Sequence, residues 1–270
     1  MIGLIAGDII GSPYEFSHKA KDGFDLVGSD RCRYTDDTVL TAAVCDAILQ
    51  TKNILNDTEL RRNVRMCLQR YAVQFPFAGY GGGFLSWVER FDPFPYNSFG
   101  NGAAMRVSPV AYVGKTAEEV FALSDICTGV THNHPEGLKG ARAIALTVFL
   151  ARHSEKTDEK KDKEKIRQSI QQRFYRLNFT IDEIKDSYAG NSTCMGTVPQ
   201  AIEAFLEADS YESAVRTAVS LGGDSDTLAA MTGAIAEAYY GVPEEIRNKA
   251  LTYLDERLTK VISEFEEKYP

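Results

Sequence analysis

The chain has 270 residues, 44% hydrophobic and 25% charged, which is ample for a packed core and excludes a disordered tail. Its formal charge of −8 lacks the basic field that holds a phosphate backbone, so general nucleic-acid binding is not expected. No apolar run approaches the ~18 residues of a spanning helix, and the five cysteines (32, 45, 67, 127 and 194) form no Cys-x-x-Cys pair, which argues against a zinc ribbon or a disulfide framework.

In chain order, Met1 to Ile10 is apolar but carries Asp8, has no basic leader and runs into Gly11-Ser12-Pro13, so no signal peptide is expected and the fold is expected to begin at residue 1. Leu40, Ala43, Val44, Ala47 and Ile48 follow the spacing that turns one helix face to a core, and Leu60, Val64, Cys67, Leu68 and Tyr71 repeat it. From Phe75 to Pro109, glycines and prolines are too frequent for a long helix, and long loops of this kind often carry function. Thr116 with Glu119, and Thr180 with Glu183, have capping-box spacing. Lys156 to Lys165 holds four acids and five bases without an apolar anchor and reads as a solvated loop or helix end. A third stripe, Leu228, Met231, Ile235, Ala238 and Tyr239, closes the pattern, with Pro199 and Pro243 suited to first helical turns. Strand alternation is almost absent and no internal repeat is found. The expectation is an all-α, compact, single-domain orthogonal helix bundle over residues 1–270, cytoplasmic, monomeric and without a membrane partner.

Two runs stand at the mouths of helical stripes: Tyr34-Thr35-Asp36-Asp37-Thr38, and Gly222-Gly223-Asp224-Ser225-Asp226-Thr227. Either alone is explained by capping and by the helix dipole, since Thr and Asp are favoured at helix starts. Together they are harder to dismiss. If the two starts converge, carboxylates ~4 Å apart repel by roughly 4 kcal/mol per pair at an effective dielectric of about 20, while a helix dipole returns only about 0.3–1 kcal/mol per acid. A bound cation resolves the imbalance, and all-oxygen ligands select Mg²⁺, Mn²⁺ or Ca²⁺ over zinc. Convergence itself is not visible from spacing.

Gly79-Tyr80-Gly81-Gly82-Gly83 and Ser98-Phe99-Gly100-Asn101-Gly102 are glycine loops that let backbone amides approach a phosphate or sugar, although neither is a Walker A loop or a Rossmann fingerprint. Ordinary tight turns explain them equally well. Thr131-His132-Asn133-His134-Pro135 lacks a third soft ligand for zinc, which leaves a phosphate or hydroxyl contact, with an imidazole able to carry charge, or a helix cap before Gly137. His18 and His153 are expected at the surface.

Five motifs in order, Gly7-Asp8 with the following Glu15, Thr35-Asp36-Asp37-Thr38, Gly100-Asn101-Gly102-Ala103-Ala104-Met105-Arg106, Thr131-His132 and Gly223-Asp224-Ser225-Asp226-Thr227, resemble the ADP-ribosylglycohydrolase family. The resemblance extends over nearly the whole chain. It implies an all-α domain with two Mg²⁺ or Mn²⁺ ions at the base of a cleft, held by Thr35, Asp36 and Asp37 on one side and Asp224, Asp226 and Thr227 on the other. It implies that Gly82, Gly83, Ser98, Phe99, Gly100, Asn101, Gly102 and His132 hold ADP-ribose, and that Glu15 or Asp36 handles the proton of a water that attacks the anomeric carbon of the ribose. The implied activity is metal-dependent hydrolysis of the glycosidic bond between ADP-ribose and a modified acceptor. The tract from Tyr188 to Gly196 lies outside these motifs and is a candidate for acceptor specificity.

Overall fold

The computed structural model describes residues 1–16, 23–28 and 30–270. His18 lies outside the described residues. The described residues form fourteen α-helices and no strand, as the patterning leads one to expect. In order they are α1 (Ile2–Gly11), α2 (Asp36–Gln50), α3 (Asp57–Gln74), α4 (Gly82–Val88), α5 (Val110–Val113), α6 (Ala117–Thr128), α7 (Pro135–Arg152), α8 (Glu159–Arg173), α9 (Ile181–Ile184), α10 (Cys194–Glu207), α11 (Tyr211–Leu221), α12 (Ser225–Tyr240), α13 (Glu244–Leu251) and α14 (Glu256–Lys268). Single 3₁₀ turns occupy Ser12–Tyr14 and Asn101–Ala103. Among the described residues no helix is long and apolar enough to cross a membrane.

Two buried helices organise the rest. Every residue of α1 is buried, and in α12 all but Glu237 and Tyr240 are. They run antiparallel at very short range because both faces of the contact are nearly bare of side chains. A methyl group on Gly3 would come 2.6 Å from the Gly233 carbonyl oxygen, one on Gly7 2.1 Å from that of Ala229, and one on Gly11 2.4 Å from that of Ser225. Such distances lie inside van der Waals contact, so only glycine fits at i, i+4 and i+8. Packed around this pair are α2, α7, α10 and α11, while α3 covers α2 from outside and α14 closes its other flank. All three hydrophobic stripes face inward, and each of their residues is buried.

The helix signals in the sequence are mostly borne out. Thr116 caps α6 by accepting from the Glu119 amide, and Thr180 and Glu183 form the reciprocal capping box of the single-turn α9. The charged tract reads as a helix end: Asp158 caps α8, and only Asp162, Ile166 and Ile170 of that helix are buried. Pro243 sits at the N-cap of α13. Pro199 is a correction, because it lies in the interior of α10 and not in its first turn. That helix begins earlier, at Cys194, where the Thr193 hydroxyl accepts from the Gly196 amide and fixes the start. All five cysteines are buried and unpaired, and His153 is exposed.

Candidate active site

The starts of α2 and α12 meet. Thr35 is the N-cap of α2, its hydroxyl accepting from the Asp37 amide, and Asp224 is the N-cap of α12. Across the junction the Thr227 hydroxyl donates to Asp37 Oδ2 at 3.2 Å. The convergence that spacing leaves open is therefore a property of the fold, and it puts the two acidic runs on the floor of one cleft of about 290 Å³.

A third element reaches the same floor. The close approach of α1 to α12 carries Asp8 in beside Asp37 and Asp226, with one carboxylate oxygen of each within 4.8 Å of the others. A second trio, Glu15, Asp224 and Asp226, meets the same distance limit, so Asp226 is common to both. Asp8 also braces the α2 start. It accepts from the Thr35 amide (2.8 Å), the Thr35 hydroxyl (2.8 Å) and the Thr38 amide (3.1 Å), and from the Thr38 hydroxyl as well. The Thr35 hydroxyl also lies 3.2 Å from Asp37 Oδ2 and accepts from the Asp37 amide, so it stands between the Asp8 and Asp37 carboxylates.

The electrostatics of this floor are unbalanced. Burial, with smaller contributions against it from the Thr35 and Thr38 hydrogen bonds, pushes the Asp8 carboxyl up to about 6. Burial and then the neighbouring Asp8 and Asp224 carboxylates push Asp36 up to about 7. Asp37 and Asp226 are driven well above the carboxylate range, first by burial and then by the other acids, and Glu15 is raised by burial and by Asp224. One atom, Asp37 Oδ1, is buried with no hydrogen-bond partner. A buried carboxylate oxygen without a partner, surrounded by like charge, is what a hard divalent cation satisfies. The residues present therefore fit one, and the two overlapping trios offer adjacent positions for it.

The sequence-derived candidates distribute as follows. Glu15, Thr35, Asp36, Asp224, Asp226 and Thr227 line the cleft, as do Gly83, Ser98, Gly100, Asn101, Gly102 and His132. Asp37 lies beneath the floor within the Asp8 trio. Asp36 faces the cleft from the first turn of α2 and belongs to neither trio. Gly82 is exposed at the first position of α4, and Phe99 is exposed with its ring against His134; neither is among the lining residues. Asn101 is held inward, its amide Nδ2 donating to Asp224 Oδ2 at 2.8 Å. The cap before Gly137 is supplied by His134, whose Nδ1 accepts from the Glu136 amide. His132 corrects the expectation of an imidazole able to carry charge: burial, reinforced by the Arg106 guanidinium, holds its pKa well below the usual range, so it is neutral.

Arg33 and Tyr96, which no motif marks, also line the cleft, as does Ser192. Ser192 belongs to the tract singled out for specificity, and its carbonyl accepts from the Asn101 amide, tying that tract to the glycine loop. Asp8 had a signal that went unread: the spacing Gly3, Gly7, Gly11 marks a helix face built for close packing, and Asp8 stands beside it.

Comparison with known proteins bears on the family and the fold. A family model described as ADP-ribosylglycohydrolase matches residues 1–269. The human ADP-ribosylhydrolase ARH3 is 27% identical over 90% of this chain and 85% of its own length. The ADP-ribosylarginine hydrolase Tri1 of Pseudomonas putida (strain GB-1) is 22% identical over 90% of this chain and 70% of its own. A solved chain described as an ADP-ribosylglycohydrolase-related protein complex shares the fold with a TM-score of 0.67 at 21% identity, covering 98% of this chain and 93% of that one. With its acidic floor and glycine wall in place and the family match spanning residues 1–269, the chain belongs to the ADP-ribosylglycohydrolase family.

Proposed function

We propose that the protein is a divalent-cation-dependent hydrolase that cleaves the glycosidic bond joining ADP-ribose to a modified acceptor. The observation that carries this reading is the pair of carboxylate trios sharing Asp226 at the floor of a cleft whose wall is the Ser98–Gly102 loop. On this reading Thr35, Asp36, Asp37, Asp224, Asp226 and Thr227 hold two Mg²⁺ or Mn²⁺ ions, with Asp8 behind them setting the Thr35 hydroxyl. Such ions, when bound, supply positive charge that fixes ribose hydroxyls and makes a water acidic enough to act at neutral pH.

This chain's own groups do the rest. Glu15 and Asp36 face the open side of the floor and carry raised pKa values, so either is suited to take a proton from the attacking water and to return it to the leaving acceptor. The remaining buried carboxylates stabilise positive charge as the ribose ring becomes oxocarbenium-like. Gly82, Gly83, Ser98, Phe99, Gly100, Asn101, Gly102 and His132 form the proposed ADP-ribose wall, in which small residues leave room for the diphosphate. A cytoplasmic setting is supported by five buried thiols with no disulfide.

Product analysis tests the assignment. A panel of ADP-ribosylated acceptors, with arginine, serine and ester linkages, is incubated with Mg²⁺ or Mn²⁺ and with a chelator. Release of free ADP-ribose only in the presence of metal is the expected result. AMP or inorganic phosphate would identify a nucleotide phosphohydrolase instead, and binding without turnover would identify a non-catalytic ADP-ribose reader.

A further inference from the structure

The wall of the cleft presents a problem of donors. The amides that the glycine loop turns towards its neighbours are partly taken: Gly100 N donates to the Ser98 hydroxyl (3.1 Å) and Asn101 N to the Ser192 carbonyl (3.0 Å). The floor beside them is anionic. An anionic ligand therefore gains from a fixed side-chain donor; Arg33 also lines the cleft and Arg106 is engaged with the loop carbonyl of Gly102, while the side chain that stands against the loop itself is His132, whose Nε2 lies 3.6 Å from where a methyl on Gly102 would stand. A neutral imidazole donates from one nitrogen only, so its tautomer decides whether the cleft meets a donor or an acceptor.

Behind the ring stands a chain of buried groups. Arg106 Nη2 donates to the Thr131 hydroxyl at 2.7 Å, and that oxygen lies 2.7 Å from His132 Nδ1. Arg106, Thr131 and His132 are all at most 3% exposed. The Thr131 hydroxyl has one proton and two neighbours that can accept it, His132 Nδ1 and the Thr128 carbonyl at 3.3 Å. That carbonyl already accepts from the amides of Thr131 (3.1 Å) and His132 (2.9 Å), which occupy its lone pairs. The shorter contact and the unfilled acceptor are both on the imidazole. The Arg106 bond to the same oxygen leaves the hydroxyl a stronger donor, and a cation behind Nδ1 disfavours a second N–H facing it.

We propose that Arg106 and Thr131 are positioning residues that lock His132 in its Nε2–H tautomer, so that the wall offers a neutral N–H to an anionic oxygen of the bound ligand. The Arg106 Nη1 bond to the Gly102 carbonyl (2.7 Å) holds the loop opposite that N–H, so one guanidinium sets both sides of the subsite. This deepens the ADP-ribose reading above and rests on it for the identity of the ligand, while the tautomer itself stands independently of any ligand.

The test separates the two. In ¹⁵N-histidine-labelled free protein, with His132 assigned by its loss in His132→Gln, long-range proton–nitrogen spectra should show a protonated Nε2 and a bare Nδ1. Thr131→Val keeps the shape but removes the hydroxyl; it should mix or invert the tautomer and weaken ADP-ribose binding in calorimetry by about tenfold, the worth of one lost hydrogen bond to a charged group. Thr131→Ser should restore both. A protonated Nδ1 in the wild-type protein overturns the proposal, as does a Thr131→Val protein with unchanged tautomer and affinity. Should Thr131→Val fail to fold, the wild-type spectrum and Thr131→Ser decide. A wild-type protein with the expected tautomer and no affinity for ADP-ribose would sustain the relay and remove the ligand assignment.

Discussion

The floor and the wall of the cleft solve opposite problems. The floor is made of helix ends: the last turn of α1 and the starts of α2 and α12 bring charged side chains together on rigid supports, and the result is a surplus of negative charge that the protein alone does not satisfy. The wall formed by the Ser98–Gly102 loop offers neutral donors, a few amides and an imidazole kept uncharged by burial, while the guanidinium groups of Arg33 and Arg106 line the cleft beside it. A metal site needs carboxylates held against their own repulsion, which rigid helices supply; a site for an anionic ligand beside that charge needs room and donors without adding more charge, which glycine turns supply. If this division holds, damage to the floor should abolish chemistry and alter stability, whereas damage to the wall should weaken binding and leave the fold alone.

The largest contrast is expected from Asp36→Asn. Asparagine fills the same space at the first position of α2, where Thr35 supplies the cap, but cannot supply the charge a divalent cation requires. ADP-ribose release in saturating Mg²⁺ should fall by orders of magnitude, while the melting temperature in chelator should hold or rise as repulsion with Asp8 and Asp224 is relieved. Full activity in this variant would remove Asp36 from the machinery.

The pH dependence of the metal-free protein comes next. Asp8 and Asp36 keep their protons in the folded state up to about 6 and about 7, whereas the unfolded chain releases them near the ordinary value of 3.8. Between those limits the folded state binds more protons, so stability should decline as pH rises from 4.5 to 7.5, on the order of 5 kcal/mol. Denaturant melts at both pH values, repeated with Mn²⁺, should show the decline in chelator and its loss with metal, since the cation takes over the role of the protons. A flat profile in chelator would mean that the floor is not under charge strain.

The scaffold beneath the floor is probed by Gly7→Ala. Its methyl would meet the Ala229 carbonyl at 2.1 Å, and relief requires α1 to move off α12, taking Asp8 with it. A loss of about 2 kcal/mol is expected, the usual cost of overpacking, together with weaker Mn²⁺ binding. Stability lost without any change in metal affinity would show that Asp8 is not coupled to the site.

The smallest effect on the fold belongs to the wall. At Gly100 an added Cβ meets the Ser98 hydroxyl at 3.2 Å and the Ser192 carbonyl at 3.4 Å, contacts that small loop adjustments relieve. Gly100→Val should bind ADP-ribose about tenfold more weakly, roughly 1.4 kcal/mol, with a melting temperature close to that of the parent. Unchanged calorimetric affinity in a folded variant would move the diphosphate away from this loop.

What the amino-acid sequence determined by itself was whatever depends on near neighbours. Helix faces follow from residues three and four apart, so the stripes at Leu40, Leu60 and Leu228 could be read directly, as could the caps at Thr116 and Thr180. The two acidic runs were legible for the same reason, each being a local departure from what a cap alone requires. The interior position of Pro199 was not, because the hydrophobic pattern does not mark where α10 begins, and that start is set by the Thr193 cap. Nor was the state of His132, since a histidine's charge depends on burial and on Arg106, which lies 26 residues away in the chain and is brought close only by folding. Tertiary structure alone decided that Asp8, Asp37 and Asp226 share a floor. Their meeting rests on three glycines that let two backbones approach to contact distance, and the strength of the resulting repulsion, and so the need for a cation, depends on distance and burial, quantities that a linear chain does not possess.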